Sequence, residues 1–401
     1  MQDIELEQAI EVLLAHTTPV TETERVPLLD ALGRVAAEDV YAAFDNPPFD
    51  RSPLDGYTFA AASTADASAE HPVRLTVVGE ECAGDFFAGT VGTGACVRIM
   101  TGGAIPAGCD CVVRQEDVRE EGDAIFVPFT SQPFENYCYA GEDIKKDTLL
   151  LAKGQRIRAS QIAVLASEGH ADVCVHRRVR IAVASTGDEL LQPGEPLRPG
   201  KIYNSNLYLL AGRLKELGAE VTVVGSVPDA VERAAEVIAS YADRVDLFLT
   251  SGGVSVGKKD IMHGVVPALG AERLFWRVCM KPGAPAIAYT RGRMLGIALS
   301  GNPFAAYATF ELMARPAIAR LAGETDVLMP RRRAVLADAF PKPCHGRRFL
   351  RARMEADGRV SLPDQHASGS LFSAAGCDAF VDVPAGTPPL AAGTEVDVVI
   401  L

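Results

Sequence analysis

The stretch Thr250-Ser251-Gly252-Gly253-Val254-Ser255-Val256-Gly257 puts three glycines and two serines into eight residues, directly after the apolar run VDLFLT (245–250). Glycines let backbone N–H groups approach a phosphate closely, and hydroxyls add donors, so such a loop at a strand end can cradle a phosphorylated ligand. A tight turn that needs positive φ is the competing explanation for the glycine pair alone. No Gly-Lys-Ser/Thr sequence follows, so this is not a Walker loop. A second candidate, Ser185-Thr186-Gly187-Asp188-Glu189, follows the run VRIAVAS (179–185). Its carboxylate pair beside a glycine suits a Mg²⁺ ion that neutralises a pyrophosphate. Acidic residues complementing a helix N-terminus explain it equally well. Phe49-Asp50-Arg51-Ser52-Pro53-Leu54-Asp55-Gly56-Tyr57 and Gly141-Glu142-Asp143-Ile144 are polar loops that, taken singly, read as solvated turns. Lys281-Pro282-Gly283-Ala284-Pro285 sets a lysine on a rigid turn with Arg277 four residues earlier, and Leu299-Ser300-Gly301-Asn302-Pro303 makes a strand-to-helix turn whose first N–H groups could face an anion.

These loops need elements to hold them. Ile4, Leu6, Ile10, Leu13 and Leu14 within 3–16 have helical spacing, and a second short helix is expected near Leu28–Leu32, stopped by Gly33. From 46 to 140, short β-rich runs such as Arg74–Val78, Cys96–Met100 and Cys111–Gln115 alternate with glycine clusters, which reads as a β-dominated domain. A helix over Ser160–Ser167, capped by Ser160, is expected in the connecting region that follows. From 179 the rhythm is strand, loop, helix. Helices are expected at 206–218 (capped by Asn204-Ser205 and ended by Gly218), 229–241, 260–269 and 303–322, between strands at 220–226, 245–250, 285–289 and 294–299. That alternation predicts a mainly parallel, doubly wound sheet covered on both faces. The last 70 residues return to short strands and turns, a small β-domain.

Composition narrows the function classes. At 401 residues the chain exceeds one ordinary core, and 48% hydrophobic with 23% charged residues is globular usage. The net charge of −13 argues against general nucleic-acid binding while leaving room for an anionic substrate at a locally basic site. Nine cysteines, an odd count without a C-x-x-C pair, point to small buried thiols rather than disulfides or structural zinc. The acidic N-terminus lacks an apolar signal region and no run of about 18 apolar residues occurs, so a cytoplasmic protein with no membrane role is expected.

In chain order, DRSPLDGY (50–57), RIMTGGAIP (98–106), GEDI (141–144), STGDEL (185–190), TSGGVSVG (250–257) followed shortly by Asp260, KPG-x-P (281–285) and LSGNP (299–303) resemble the molybdopterin molybdenumtransferase family, the MoeA and gephyrin E-domain group. The likeness covers essentially the whole chain. It implies a homodimer of four-part subunits: a helical linking domain from 1–45 plus 141–178, an inserted β-rich domain at 46–140, a molybdopterin-binding α/β domain at 179–328, and a C-terminal β-barrel at 329–401. It implies Mg²⁺-dependent insertion of molybdate into adenylated molybdopterin, with release of AMP, at a site shared between the α/β domain of one subunit and the inserted domain of the other. Asp55, Asp143, Glu189 and Asp260 are then the catalytic carboxylates, and Asp188 and Glu189 the metal ligands. Thr186, Gly187, Asp229, Ser251, Gly252, Gly253, Ser255, Ser300, Gly301, Asn302 and Pro303 surround the pterin and its phosphates, with Thr101 contributed across the dimer. Arg277 and Lys281 are the expected oxyanion pocket. Contacts with a molybdopterin adenylyltransferase and with acceptor molybdoenzymes are further expectations. The chain departs from the family pattern at Tyr137-Cys138-Tyr139-Ala140, where basic residues are frequent, at Ala284 in place of a second lysine, at Ser300 in place of proline, and at Ala305 in place of serine. A weakly catalytic molybdopterin carrier, or a tungstate-preferring homologue, are the alternatives. The basic stretch 331–359 is either a solvated barrel surface or brings Arg347, Arg348 or Arg351 to the substrate.

Overall fold

Successive residues of a strand face opposite sides of a sheet, so a strand that is apolar at every position must be covered on both faces. Met294–Leu299 is of this kind, and Arg180–Thr186 and Leu247–Ser251 carry apolar residues on both faces and are buried at every position but Arg180; the three lie side by side in a seven-stranded sheet. The order across it is Gln2–Ile4, Glu272–Val278, Ile287–Arg291, Met294–Leu299, Leu247–Ser251, Arg180–Thr186, Glu220–Val227, and Ile287–Arg291 alone runs against the rest. Ile181, Val183, Leu247 and Leu249 pack against Leu207, Leu210 and Leu214 of helix Ser205–Glu216, and against Phe304, Phe310 and Ile318. Their neighbours Ala182, Ala184 and Phe248 face the other way, onto Ala234 and Ile238 of helix Val231–Ala239 and Val265 of helix Met262–Ala268. The doubly wound layers expected from the alternation are present.

The computed structural model describes residues 1–257 and 260–401. It divides into two compact units, Met1–Glu38 with Lys153–Arg158 and Asp172–Leu401, and Asp39–Ala152 with Ala159–Ala171. The first unit also holds a closed barrel of Arg331–Leu336, Arg359–Ser361, Arg348–Met354, Ala379–Val383 and Glu395–Ile400 around Leu336, Leu350, Val381 and Val398. The second unit carries a six-stranded sheet in the order Cys111–Arg114, Gly56–Phe59, Ala95–Ile99, Val73–Glu81, Ala124–Val127, Arg119–Glu121, with Tyr57, Phe59, Leu75, Ile125 and Val127 in its core.

Several local expectations are corrected. Residues 2–4 are a strand rather than the start of a helix; the helix covers Leu6–Ala15. The open edge of Glu272–Val278 captures them, with Trp276 N–H donating to Met1 O (3.0 Å) and Cys279 N–H to Ile4 O (2.8 Å). The Glu272–Val278 strand itself was not expected, because its apolar residues are interrupted by Arg273 and Arg277. Leu28–Ala31 is a 3₁₀ turn. Helix Ala159–Ser167 begins before Ser160, so Ser160 lies inside it and is not its cap. The last helix of the α/β region is Pro303–Thr309, a π-turn Phe310–Ala314, then Arg315–Leu321. All nine cysteines are free thiols, but only Cys96, Cys111 and Cys344 are buried; five are half-buried and Cys279 is exposed.

Candidate functional site

In a doubly wound sheet a ligand crevice opens where neighbouring strands send their connections in opposite directions. That point lies between Arg180–Thr186, whose connection leads to the Glu220–Val227 edge, and Leu247–Ser251, whose connection leads towards the opposite edge. Beyond their C-terminal ends lies a cleft of about 1400 Å³, walled on its far side by the barrel segments 338–342, 348–350 and 362–369.

The glycines of the cleft are fixed by close approach. Gly252 has φ +100, and a Cβ there would stand 2.7 Å from both the carbonyl oxygen and the hydroxyl of Thr186. Gly253 has φ +68 with the same hydroxyl 3.0 Å away. The two phosphate-type loops therefore touch through backbone, which no residue with a side chain permits. Gly187, at φ +143, leaves room for the Glu189 carboxylate to fold back over it at 2.8 Å from a notional Cβ. Asp188 N–H donates to Asp229 Oδ2 (3.2 Å), tying the turns after two adjacent strands together. Asp260 accepts from Gly257 N–H, closing the far end of the glycine loop.

Side-chain amides knit the floor. Asn204 Oδ1 caps helix Ser205–Glu216 by accepting from Leu207 N–H (3.2 Å), and also accepts from Ser185 Oγ (3.0 Å). Asn206 Nδ2 donates to Ser251 Oγ (2.7 Å) and to the Gly301 carbonyl (2.8 Å). Ser251 Oγ in turn donates to the Ser300 carbonyl (3.2 Å). Ser251 thus spends its hydroxyl on joining two loops. The Thr186 hydroxyl, Asn204 Nδ2 and Asn206 Oδ1 are buried without partners among the described residues, polar capacity concentrated at one end of the cleft.

Of the residues expected from the sequence, Thr186, Gly187, Glu189, Asp229, Ser251, Gly252, Gly253, Ser255, Asp260, Lys281, Ser300, Gly301, Asn302 and Pro303 all line this cleft. Asp188 is exposed on the same turn as Glu189 but is not part of the lining. Arg277 is not part of it either; its Nε pairs with Asp3 at 3.0 Å. Lys281 is stitched in place by its own backbone, with its N–H donating to Arg347 O (2.9 Å) and its carbonyl accepting from Phe349 N–H (2.8 Å) of the barrel. In the second unit, Asp55 Oδ1 accepts from both the N–H and the hydroxyl of Thr101 (2.7 Å each), and the backbone bond and then the hydroxyl bond hold its carboxyl below the usual range. Asp143 sits exposed on a turn whose N–H donates to Asn46 O (3.1 Å). Asp50 is structural, accepting from Tyr137 Oη (2.6 Å) and Ala140 N–H (2.8 Å).

The barrel wall holds what motif reading missed. Among the three arginines singled out from the basic stretch, Arg348 alone lines the cleft, with its guanidinium 5.0 Å from the centroid of Phe340. Arg347 is committed to Asp382 (2.7 and 2.9 Å) and Glu7 (2.7 and 2.8 Å). Arg351 is fully buried over the Phe304 ring (3.5 Å), donating to the carbonyls of Ser370 and Ala367 and to the Ser373 hydroxyl. Lys342 and His366 complete that wall. Burial, then the positive charges of Arg351, Arg348 and Lys342, push the His366 imidazole down to about 4, so it is neutral at pH 7. Lys342 lies in the basic stretch singled out from the sequence, whereas an isolated His between turns carries no sequence signal; barrel closure brings both here.

Mg²⁺ binds oxygen, keeps several waters, and is satisfied by one or two carboxylates plus substrate phosphate. Glu189, Asp229 and Asp260 offer such oxygens in the cleft. No group of three or more His, Cys, Asp or Glu side chains converges among the described residues. The donors therefore fit a hydrated ion shared with a phosphorylated substrate, not a closed protein cage.

Known proteins bear the same architecture. Residues 4–169 match the MoeA N-terminal region (domain I and II), 182–320 the "Probable molybdopterin binding domain", and 333–401 the MoeA C-terminal region (domain IV). A Bacillus subtilis (strain 168) protein named molybdopterin molybdenumtransferase is 37% identical over 396 residues, spanning 97% of this chain and 92% of its own. One of the same name from Staphylococcus aureus (strain Mu50) is 35% identical over 381 residues, 94% of this chain and 90% of its own. The crystal structure of a molybdopterin biosynthesis moeA protein from Pyrococcus horikoshii OT3 superposes with a TM-score of 0.86 at 30% identity, over 100% of both chains. At these identities and over these lengths, the chain belongs to the molybdopterin molybdenumtransferase family.

Proposed function

We propose that this protein transfers molybdate onto adenylated molybdopterin and releases AMP, completing the molybdenum cofactor. The observation that carries it is the junction of Thr186 with Gly252 and Gly253, a backbone cradle at the strand ends, facing the carboxylates of Glu189, Asp229 and Asp260 across one cleft. The cradle binds the pyrophosphate bridge through backbone N–H groups and orients it. Asp260, fixed by the Gly257 amide, and Glu189, folded over Gly187, hold negative charge at set positions beside it. Glu189 with Asp188 or Asp229 would hold a Mg²⁺ ion, which supplies charge neutralisation of the phosphates when bound. Lys281 and Arg348 give the molybdate oxyanion its positive pocket at the barrel side, while Arg277, paired with Asp3, contributes little. The Asp55–Thr101 pair and Asp143 of the second unit complete the site from a partner subunit in a homodimer, and the reaction takes place in the cytoplasm. A molybdopterin adenylyltransferase upstream and acceptor molybdoenzymes downstream are its protein contacts.

The test is AMP release and cofactor formation from adenylated molybdopterin, run with molybdate or tungstate, with and without Mg²⁺. Molybdate- and Mg²⁺-dependent AMP release is expected. Tight pterin binding without AMP release would instead mark a carrier, and preference for tungstate would change the oxyanion.

A further inference from the structure

Behind the glycine loop stand two aromatic rings that no motif includes. Trp276 Nε1–H, on the strand Glu272–Val278, donates to the Val254 carbonyl at 3.2 Å. His263 Nε2, at the start of helix Met262–Ala268, lies 2.9 Å from the Ser255 carbonyl. The rings meet edge to face, with centroids 4.7 Å apart and planes at 88°. Two consecutive carbonyls of one loop are therefore held by one aromatic pair.

A trans peptide is planar, and its N–H points opposite to its C=O. Holding the Val254 and Ser255 carbonyls against the rings turns the N–H groups of Ser255 and Val256 away from them, side by side. Neither N–H has a protein acceptor among the described residues, and Ser255 lines the cleft. Successive N–H groups presented together form an anion-binding concavity. The Gly257 amide, bonded to Asp260, ends the run.

We propose that Trp276 and His263 are positioning residues that hold the 254–257 backbone so that the Ser255 and Val256 N–H groups meet a phosphate of the substrate. This rests on the phosphate reading of the cleft, and it adds a consequence. Trp276 is the sole tryptophan of the chain, so its fluorescence reports directly on this loop.

The variants Trp276→Phe and His263→Phe keep the ring contact and remove a donor, whereas His263→Gln keeps a donor near the Nε2 position. Amide exchange by mass spectrometry on the ligand-free protein reads the loop, and calorimetry with inorganic pyrophosphate and with AMP reads the cleft. Thermal unfolding checks that each variant folds. A lost hydrogen bond weakens binding by roughly two- to tenfold. We expect faster exchange of the Gly257 amide, which Asp260 protects while the loop is held, and a weakening of that size for both probes in Trp276→Phe and His263→Phe. His263→Gln is expected to stay near wild type. Wild-type Trp276 emission is expected to change on saturation with pyrophosphate, and the AMP-release KM to rise more than kcat falls in the two phenylalanine variants. Unchanged exchange in both phenylalanine variants, or His263→Gln behaving as His263→Phe, overturns the positioning role. Wild type that binds neither probe, with exchange still raised in the variants, removes the phosphate reading and leaves the loop-holding role standing.

Discussion

Glu189 and Asp260 reach the cleft by different routes, one folded over a glycine and one clamped to the Gly257 amide. An amide side chain replaces either carboxylate with little change of shape, but it is a poor Mg²⁺ ligand and cannot act as a base. Glu189→Gln and Asp260→Asn are each expected to lower AMP release about 10²-fold with unchanged unfolding temperature; wild-type rates and Mg²⁺ dependence in both would make these groups merely structural. The oxyanion residues separate more sharply than their sequence positions suggest. Lys281 faces the cleft, whereas Arg277 is held by Asp3 at a backbone φ of +66. Loss of a charged hydrogen bond costs about 1.5–3 kcal/mol, a rise of roughly 10- to 150-fold in half-saturating molybdate for Lys281→Ala. Arg277→Ala is expected to leave molybdate affinity within about twofold. A titration in which Arg277→Ala is the more damaged variant would reverse this assignment. The lysine was legible in its Pro-Gly turn, but the direction of Arg277 was not, because a neighbouring strand decides it.

At the scale of elements, the π-turn at Phe310–Ala314 is the least regular part of the α/β layers, and it holds a fully buried acid. Glu311 accepts from Arg213 Nε (2.6 Å) and from Arg315 (3.1 Å), joining helix Ser205–Glu216 to the helix that follows the Ser300–Pro303 turn. Removing one member of a buried pair strands the other charge, so Glu311→Ala is expected to cost about 3–5 kcal/mol in urea unfolding. A change below about 1 kcal/mol would show the pair to be dispensable. The barrel is fastened similarly. Burial alone raises the Asp382 carboxyl, but hydrogen bonds from Arg347 and Arg331 outweigh it and leave its pKa lowered. A lowered folded pKa contributes stability that is complete above the unfolded value of about 4 and is lost as pH falls through the folded one. Asp382→Asn is accordingly expected to cost about 3 kcal/mol at pH 7, with the gap to wild type narrowing as pH falls below about 4. An equal gap at pH 7 and pH 3 would exclude the linkage. Most strand and helix positions between 179 and 322 were readable because period and capping are local properties, the strand Glu272–Val278 and the π-turn at Phe310–Ala314 excepted. The strand Gln2–Ile4 was not, because a sheet edge 270 residues away recruits it.

For the whole molecule, the proposed reaction joins the cleft carboxylates of the first unit to the Asp55–Thr101 pair of the second unit of another chain. Sedimentation at micromolar concentration is expected to give a dimer, and an active species that sediments only as a monomer would remove the shared site. No helix among the described residues is long and apolar enough to cross a membrane, in keeping with the absence of an apolar run in the sequence. By itself the sequence determined the alternating α/β order, the glycine and carboxylate loops at strand ends, and the family to which they point. These follow from spacing, from glycine's freedom at positive φ, and from the order of motifs along the chain. Tertiary structure alone decided that Ser251 spends its hydroxyl on two loops, that Arg277 turns to Asp3 while Arg348 reaches the cleft, and that Trp276 and His263 stand behind the glycine loop. Apart from His263, eight residues from Ser255, each of these depends on a partner on another element, which only closure of the sheet and barrel brings near.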